Sequence, residues 1–213
     1  MNETSFDLMR HAKTHWNFEG KVMGKTDLPL APEGKQQVKQ WMVGFHGETE
    51  CWDKILSSPL LRCLETATLL NQSLNLPVFK DSRLQEQDWG RWAGKTFREI
   101  RNQEKNMLEA EAEKGWEFSP PDGESRRCVL SRSLSALKTA ASKWRGQHIL
   151  VVTHEGVIRS IVYHLIGRDF IMSEPKIIKP YHLHRISWDS QGPHMVSLNA
   201  ISLDPPNHLK LST

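Results

Sequence analysis

Near its start the chain reads Leu8-Met9-Arg10-His11-Ala12-Lys13-Thr14-His15-Trp16-Asn17, an arginine and a histidine side by side after a short apolar run. Much later His154 follows the apolar run 149–153 in the same way, with Glu155 next to it. Between them, Ser57-Ser58-Pro59-Leu60-Leu61-Arg62-Cys63 carries a second arginine just past a turn. Arginine offers a planar fork of donors that matches phosphate and carboxylate oxygens. A neutral imidazole is a competent nucleophile or base near pH 7. Two arginines and two histidines around one point would form a site for a dianionic phosphoryl group. Taken singly they say less: a histidine at a strand end is ordinarily a hydrogen-bonded structural residue, and an arginine early in a helix is ordinarily solvated. The functional reading therefore depends on whether the fold gathers them.

The pattern of the chain suggests elements that could do so. "SFDLMR" reads as an early strand, and a helix is expected from Pro32, with Val38, Trp41, Met42 and Phe45 at helical spacing before Gly47. "KILSSP" reads as a short strand running into a turn. "LLRCLETATLLNQSL" reads as a helix with Leu61, Leu64, Leu69 and Leu70 as its apolar face. Residues 95–114 are charged and helix-compatible, with Phe97, Ile100, Met107 and Leu108 as an apolar minority, which suits a cap more than a core. "SPPDGES" is a loop whose Ser125 can cap the helix that follows. "HILVVT" is a concentrated β-branched run expected to be a buried strand, followed by a helix closing on Gly167. "YHLHRISW" and "HMVSLNAISL", joined by "DSQG", are two more strand candidates. Strands alternating with helices imply an α/β three-layer sandwich, a mostly parallel central sheet flanked by helices. A single domain over 1–213 is expected, with a small helical cap inserted at about 95–124. In open α/β sheets ligands collect beyond the carboxyl ends of the strands, where helix N-termini present unpaired N–H groups. Arg10, His11, Arg62 and His154 all fall at such ends.

The bulk properties exclude several function classes. With 213 residues, 25% charged and 38% hydrophobic, the chain has an ordinary globular balance, and its formal net charge is +3. It has no run of five like charges, so neither nucleic acid nor a membrane surface is indicated as a partner. Cys51, Cys63 and Cys128 are an odd count without close pairing, which argues against a disulfide framework. No Cys/His cluster suggests a structural zinc site. The first residues lack the pattern of a signal peptide, and no window approaches a membrane span. A cytoplasmic location is the expectation. The oligomeric state is left open, a homodimer being one option.

The surroundings of the candidate residues resemble the histidine phosphatase superfamily, the phosphoglycerate mutase-like enzymes. "RHAKTHWN" is similar to the family's Arg-His-Gly-x-Thr-x-x-Asn signature, with Ala12 where glycine is usual. "GKTDLPLAPEG" (24–34) resembles the Gly-x-x-Asp-x-Pro-Leu-x-x-x-Gly element, and "SSPLLRCLETA" resembles the segment of the second phosphate-binding arginine. "LQEQDWGRWAGKT" (84–96) resembles the acid-bearing segment, and "PPDGES" and "VVTHEGVIR" resemble the remaining two blocks. Six blocks in order span residues 8–159, about three quarters of the chain.

The resemblance implies a phosphoenzyme mechanism that needs no metal and no cofactor. His11 would attack phosphorus, while Arg10, Arg62 and His154 would hold the oxygens over which charge spreads in the in-line transfer. Asn17 and the backbone N–H of Glu155 would be further donors. Glu86 would protonate the leaving oxygen and later activate water, with Asp88, two residues on, as the rival acid. Met23 and Gly24 lie where relatives touch substrate, and methionine there would make the leaving-group side less polar. Ala12 would add a methyl beside the phosphate pocket. Trp16, Trp89, Trp92 and Trp116 lie in or near these blocks, either as packing or as an aromatic wall for an apolar leaving group. The implied function is a phosphomonoesterase acting on a small phosphorylated metabolite. The blocks at 84–96 and 120–125 are most similar to alpha-ribazole phosphatases. A phosphoglycerate mutase uses the same cage, but residues 97–117 carry six glutamates against four basic residues, an unfavourable cap for a doubly anionic substrate. A protein phosphohistidine phosphatase and a catalytically inactive binding member are the other readings.

Overall fold

The computed structural model describes residues 3–45, 52–171 and 173–203. Six strands form one sheet: β1 (Thr4–Arg10), β2 (Lys54–Ser57), β3 (Val78–Lys80), β4 (His148–Thr153), β5 (His182–Asp189) and β6 (Gly192–Ser202). Their order is β3-β2-β4-β1-β5-β6. The first four are parallel to one another, and the β5–β6 hairpin is antiparallel at one side. The helices are α1 (His15–Phe18), α2 (Pro32–Phe45), α3 (Leu61–Leu74), α4 (Phe97–Ala112), α5 (Arg126–Lys143) and α6 (Glu155–Leu165).

Period-two alternation divides the buried strand residues between two apolar layers. Phe6 and Leu8 of β1, Leu56 of β2 and Ile149 and Val151 of β4 pack with Val129, Leu137, Ile158 and Ile161 of α5 and α6. Met9, Ile55, Leu150 and Val152 point the other way, against Val38 and Trp41 of α2 and Cys63, Ala67 and Leu70 of α3. The sheet is thus covered on both faces, as its continuous apolar strands require. Cys63 and Cys128 are free thiols, whereas Cys51 and Gly47 lie outside the described residues.

Helix α3 departs from expectation. Its buried residues are Arg62, Cys63, Thr66, Ala67 and Leu70, while Leu61 is exposed and Leu64 and Leu69 are only partly buried. The inner face is the 63/66/67/70 stripe, at helical spacing. It holds polar groups because its first turn meets the strand ends and not the middle of the sheet. The short strand β3 was not signalled by the pattern, having only three residues that are mostly exposed.

The 95–124 segment contains α4 and a 3₁₀ turn at Gly115–Glu117. Its Ile100 and Phe118 are buried together with Val22 and Trp92, and Trp89 and Leu108 pack against them, forming a small separate core. The Val22 side of this core is stitched to it by Val22 N donating to Lys95 O (2.9 Å) and Gly94 N to Val22 O (2.8 Å). Trp92 and Phe118 are therefore packing residues, as is Trp116, whose Nε1 donates to Arg168 O at 2.9 Å.

On β1 the fully buried Asp7 anchors the end of the sheet away from Arg10. Arg185 donates to it from Nε (2.8 Å) and Nη2 (3.0 Å), Trp52 Nε1 donates at 2.9 Å, and His148 Nε2 lies 2.9 Å away. Burial alone would raise the pKa of Asp7, but the hydrogen bonds from His148, Arg185 and Trp52 outweigh it and hold the group at about 2. A carboxylate with a depressed pKa contributes stability above its ordinary value of 3.8 and loses it as pH falls through about 2. Asp7→Asn is expected to cost about 3 kcal/mol in urea unfolding at pH 7, because the charge-assisted hydrogen bonds from Arg185 to a fully buried carboxylate are lost. The difference from the parent should shrink between pH 4 and pH 2; a pH-independent difference would contradict this account.

Candidate active site

Register brings the candidate residues together. Arg10 of β1 is level with Thr153 of β4, and Ser57 of β2 is level with Val152 on the other side. Each ladder continues one bond further, with His11 N donating to Thr153 O and Ser58 N to Val152 O, both at 3.0 Å. His11, Ser58 and His154 therefore leave three adjacent parallel strands at the same height. The His11 and His154 rings meet edge to face, with centroids 5.3 Å apart.

The loop after β1 is held from two helices. Ala12 N donates to Thr66 Oγ1 of α3 (3.1 Å) and Lys13 N to Gln37 Oε1 of α2 (3.2 Å). Gly34 permits this approach, because a Cβ there would lie 2.0 Å from Lys13 O. Ala12 has no positive φ, and its methyl packs among Met9, Leu30 and Trp41. The expectation of a methyl beside the phosphate pocket is corrected: the side chain faces the α2–α3 core.

His11 is buried, and its Nδ1 lies 2.7 Å from Ala12 O. A carbonyl can only accept, so Nδ1 carries the proton and Nε2 the lone pair. Burial, then the charges of Arg10 and Arg62, push the His11 pKa well below 6.5, so the ring is neutral at neutral pH. His154 is depressed by burial, Arg62 and His11 in the same way. Its Nε2 lies 2.8 Å from Ser58 Oγ and 3.4 Å from Cys63 Sγ.

Arg62 is fully buried, and the 24–31 segment accounts for its placement. Its Nη1 donates to Thr26 O and its Nη2 to Gly24 O, both at 2.8 Å. Asp27 Oδ1 accepts from Leu61 N (2.7 Å), and Glu65 Oε2 accepts from Leu30 N (2.9 Å), fixing that segment on the start of α3. Burial lowers the Arg62 pKa, with Glu86 and Asp27 among the groups acting against it. Its Nε is buried and has no hydrogen-bond partner among the described residues. Arg10, at the end of β1, pairs with the carboxylate of Glu155, the first residue of α6. The first N–H groups of that helix have no acceptor within it.

Glu86 and Asp88 separate clearly. Glu86 Oε1 accepts from Gln87 N (2.8 Å) and Oε2 from Gly156 N (3.3 Å). Burial raises its pKa, against the opposing effects of those amides and of Arg62 and Arg10. Asp88 turns away, its Oδ1 accepting from Gly90 N (2.9 Å) and its Oδ2 lying 3.7 Å from Lys25. Of the remaining candidates, Asn17 Oδ1 accepts from Thr14 N (2.9 Å), leaving its amide as a donor. Met23 is buried, its Sδ 3.2 Å from Thr14 Oγ1, and His15 is exposed. Ser58 and Cys63 were missed by sequence reasoning, although both stand in the stretch that carries Arg62. Among the described residues no three of His, Cys, Asp and Glu gather as a metal site requires, and no helix is long and apolar enough to cross a membrane.

Residues 6–201 match the family described as histidine phosphatase superfamily (branch 1). The chain belongs to that superfamily, and it is a phosphatase. It is 31% identical over 162 residues to "Phosphoserine phosphatase 1" of Hydrogenobacter thermophilus, covering 76% of each chain. It is 32% identical over 178 residues to "Phosphoglycerate mutase-like protein 4" of Arabidopsis thaliana, covering 76% of this chain and 75% of that one. Among solved structures, YhfR of Bacillus stearothermophilus superposes with a TM-score of 0.83 at 27% identity, over 95% of the phosphatase and 100% of that chain.

In the phosphatase, Gly156 leaves room for the Glu86 carboxyl, since a Cβ there would lie 2.4 Å from Oε1. Gly156→Ala should push that flexible carboxyl aside and lower kcat/KM for an alkyl phosphate roughly tenfold or more, with little change in melting temperature. An unchanged kcat/KM would mean that this placement of the carboxyl has no part in turnover.

Proposed function

We propose that the chain hydrolyses phosphomonoesters of small metabolites through a phosphohistidine, without a metal ion. The observation that carries this reading is His11: a buried, neutral imidazole whose Nδ1 is committed to Ala12 O, between two arginines. Its Nε2 lone pair attacks phosphorus, and the bond to the ester oxygen breaks in line. Arg10 and Arg62, the latter through its unpartnered Nε, take up the charge on the phosphoryl oxygens, with His154, the Asn17 amide and the first N–H of α6 as further donors. Glu86, with its raised pKa, gives its proton to the leaving oxygen. As a carboxylate it then takes a proton from the water that attacks the phosphohistidine, releasing inorganic phosphate and returning His11 to its starting state.

Among substrates we take alpha-ribazole 5′-phosphate as the first candidate, on the likeness of residues 84–96 and 120–125 to the matching segments of alpha-ribazole phosphatases. A mutase would use the same cage. Against it stands the acidic cap, where Glu99, Glu104, Glu109, Glu111, Glu113 and Glu117 outnumber Arg98, Arg101, Lys105 and Lys114. A panel of phosphorylated metabolites ranked by kcat/KM tests the substrate. Interconversion of phosphoglycerates faster than phosphate release would favour the mutase.

His11→Ala is expected to abolish turnover of p-nitrophenyl phosphate, and the parent enzyme should keep its rate in EDTA. Glu86→Gln should lower kcat/KM for an alkyl phosphate by roughly 10²–10³-fold, and far less for an aryl phosphate whose leaving group needs no proton. The sign of the pH dependence follows from the two shifts. The acid limb of kcat/KM, set by His11, should lie well below 6.5, and the alkaline limb, set by Glu86, above 4.5. Loss of the rate in EDTA, or retention of it in His11→Ala, would defeat this reading.

A further inference from the structure

The segment that carries Glu86 has little regular structure to hold it. Residues 81–92 contain only two 3₁₀ turns, Ser82–Leu84 and Gly90–Trp92, and no strand ladder. Glu86 itself is fixed at its carboxyl end only by two backbone amides, one of them from the next residue. Its backbone is held instead by a charged pair at the start of α5.

Arg132 donates from Nη2 to Glu86 O (3.1 Å) and from Nη1 to Arg83 O (2.6 Å). Two further donors go to Glu124, with Nε to Oε1 at 2.7 Å and Nη2 to Oε2 at 3.0 Å. Glu124 in turn grips the far side of the segment. Its backbone O accepts from Gln87 Nε2 (2.7 Å), its Oε2 from Asp88 N (3.3 Å), and its N donates to Asp88 O (2.9 Å). Both side chains are less than a fifth exposed. The fork and the carboxylate therefore bind residues 83, 86 and 88 at once, with Gln87 held by the Glu124 backbone, and a lysine with one rotating ammonium could not reproduce the fork.

We propose that Arg132 and Glu124 are positioning residues for the acid, locking the Glu86 backbone so that its carboxyl stays against Gly156 and the start of α6. Among the described residues neither side chain has a hydrogen bond or ion pair with His11, Arg10 or Arg62. The charge of Arg132 also helps to depress the pKa of His154, and Glu124→Gln, which keeps that charge, isolates the path through Glu86. The inference rests on Glu86 being the proton donor. A general acid matters most when the leaving group is poor, and that dependence distinguishes positioning of the acid from general loss of structure.

The test compares Arg132→Met and Glu124→Gln with the parent on an alkyl phosphate and on p-nitrophenyl phosphate, in the Glu86 and Glu86→Gln backgrounds. The expected result is a roughly tenfold or greater fall in kcat/KM for the alkyl ester and less than threefold for the aryl ester. In the Glu86→Gln background the same substitutions should change the alkyl rate less than threefold, because the group they position is gone. Equal losses on both esters, or losses that multiply with Glu86→Gln, would overturn the inference while leaving the acid assignment intact. A Glu86→Gln variant as active as the parent on both esters would overturn the acid assignment and this inference with it. Should Arg132→Met fail to fold, as judged by circular dichroism, Glu124→Gln, which keeps an acceptor for Arg132 and the backbone contacts, carries the same comparison.

Discussion

The parallel pairing of β1 with β4, with Arg10 opposite Thr153, is the constraint on which the site depends. Both strands run out at the same height, and each is followed at once by a histidine. A slip of one residue in that ladder would turn the apolar residues of β1 to the opposite layer, since successive side chains face opposite ways. Phe6 and Leu8 against α5 and α6, and Met9 against α2 and α3, thus fix the register. The packing that buries the sheet also sets the His11 and His154 rings 5.3 Å apart.

Around that pairing the molecule concentrates positive charge without a matching carboxylate at its centre. Arg62 is fully buried, held by two carbonyls and not by an acid, and among the described residues Arg10 pairs with the exposed Glu155. Burying a guanidinium in this way is costly unless its donors are satisfied, and the 24–31 segment supplies the acceptors. Burial, and after it the field that results, keeps both imidazoles neutral. A dianion entering such a site meets donors already oriented, which is the condition for electrostatic stabilisation without reorganisation. Glu86 lies within this field, but burial outweighs the pull of Arg62 and Arg10 and keeps its proton on more firmly than in water.

Residues 95–118 and 81–92 are secured by different means from the sheet. The first share a small, mostly aromatic core with Trp92 and, from the loop after β1, Val22. Residues 81–92 rely on hydrogen bonds donated by Arg132 and accepted by Glu124. Precision where no ladder exists comes from a charged fork that binds a carboxylate and two backbone carbonyls together.

The order of the six blocks, the strand–histidine–helix units and the caps at Ser125 and Gly167 were legible in the sequence, because each rests on contacts between near neighbours in the chain. The leucines of α3 misled, since a count of apolar residues does not reveal which face a helix turns inward; the buried stripe runs through Arg62, Cys63, Thr66 and Ala67. Glu86 and Asp88 could not be separated from spacing alone, whereas the fold sets one against Gly156 and the other toward Lys25. The surroundings of Ala12, the hydrogen bond between Ser58 and His154 and the grip of Arg132 on Glu86 were likewise decided by tertiary structure. Residue type and local order determined which chemistry the chain carries. Which groups meet, and in which protonation state, was decided by long-range packing, because register, burial and the summed field of distant charges have no signature in local sequence.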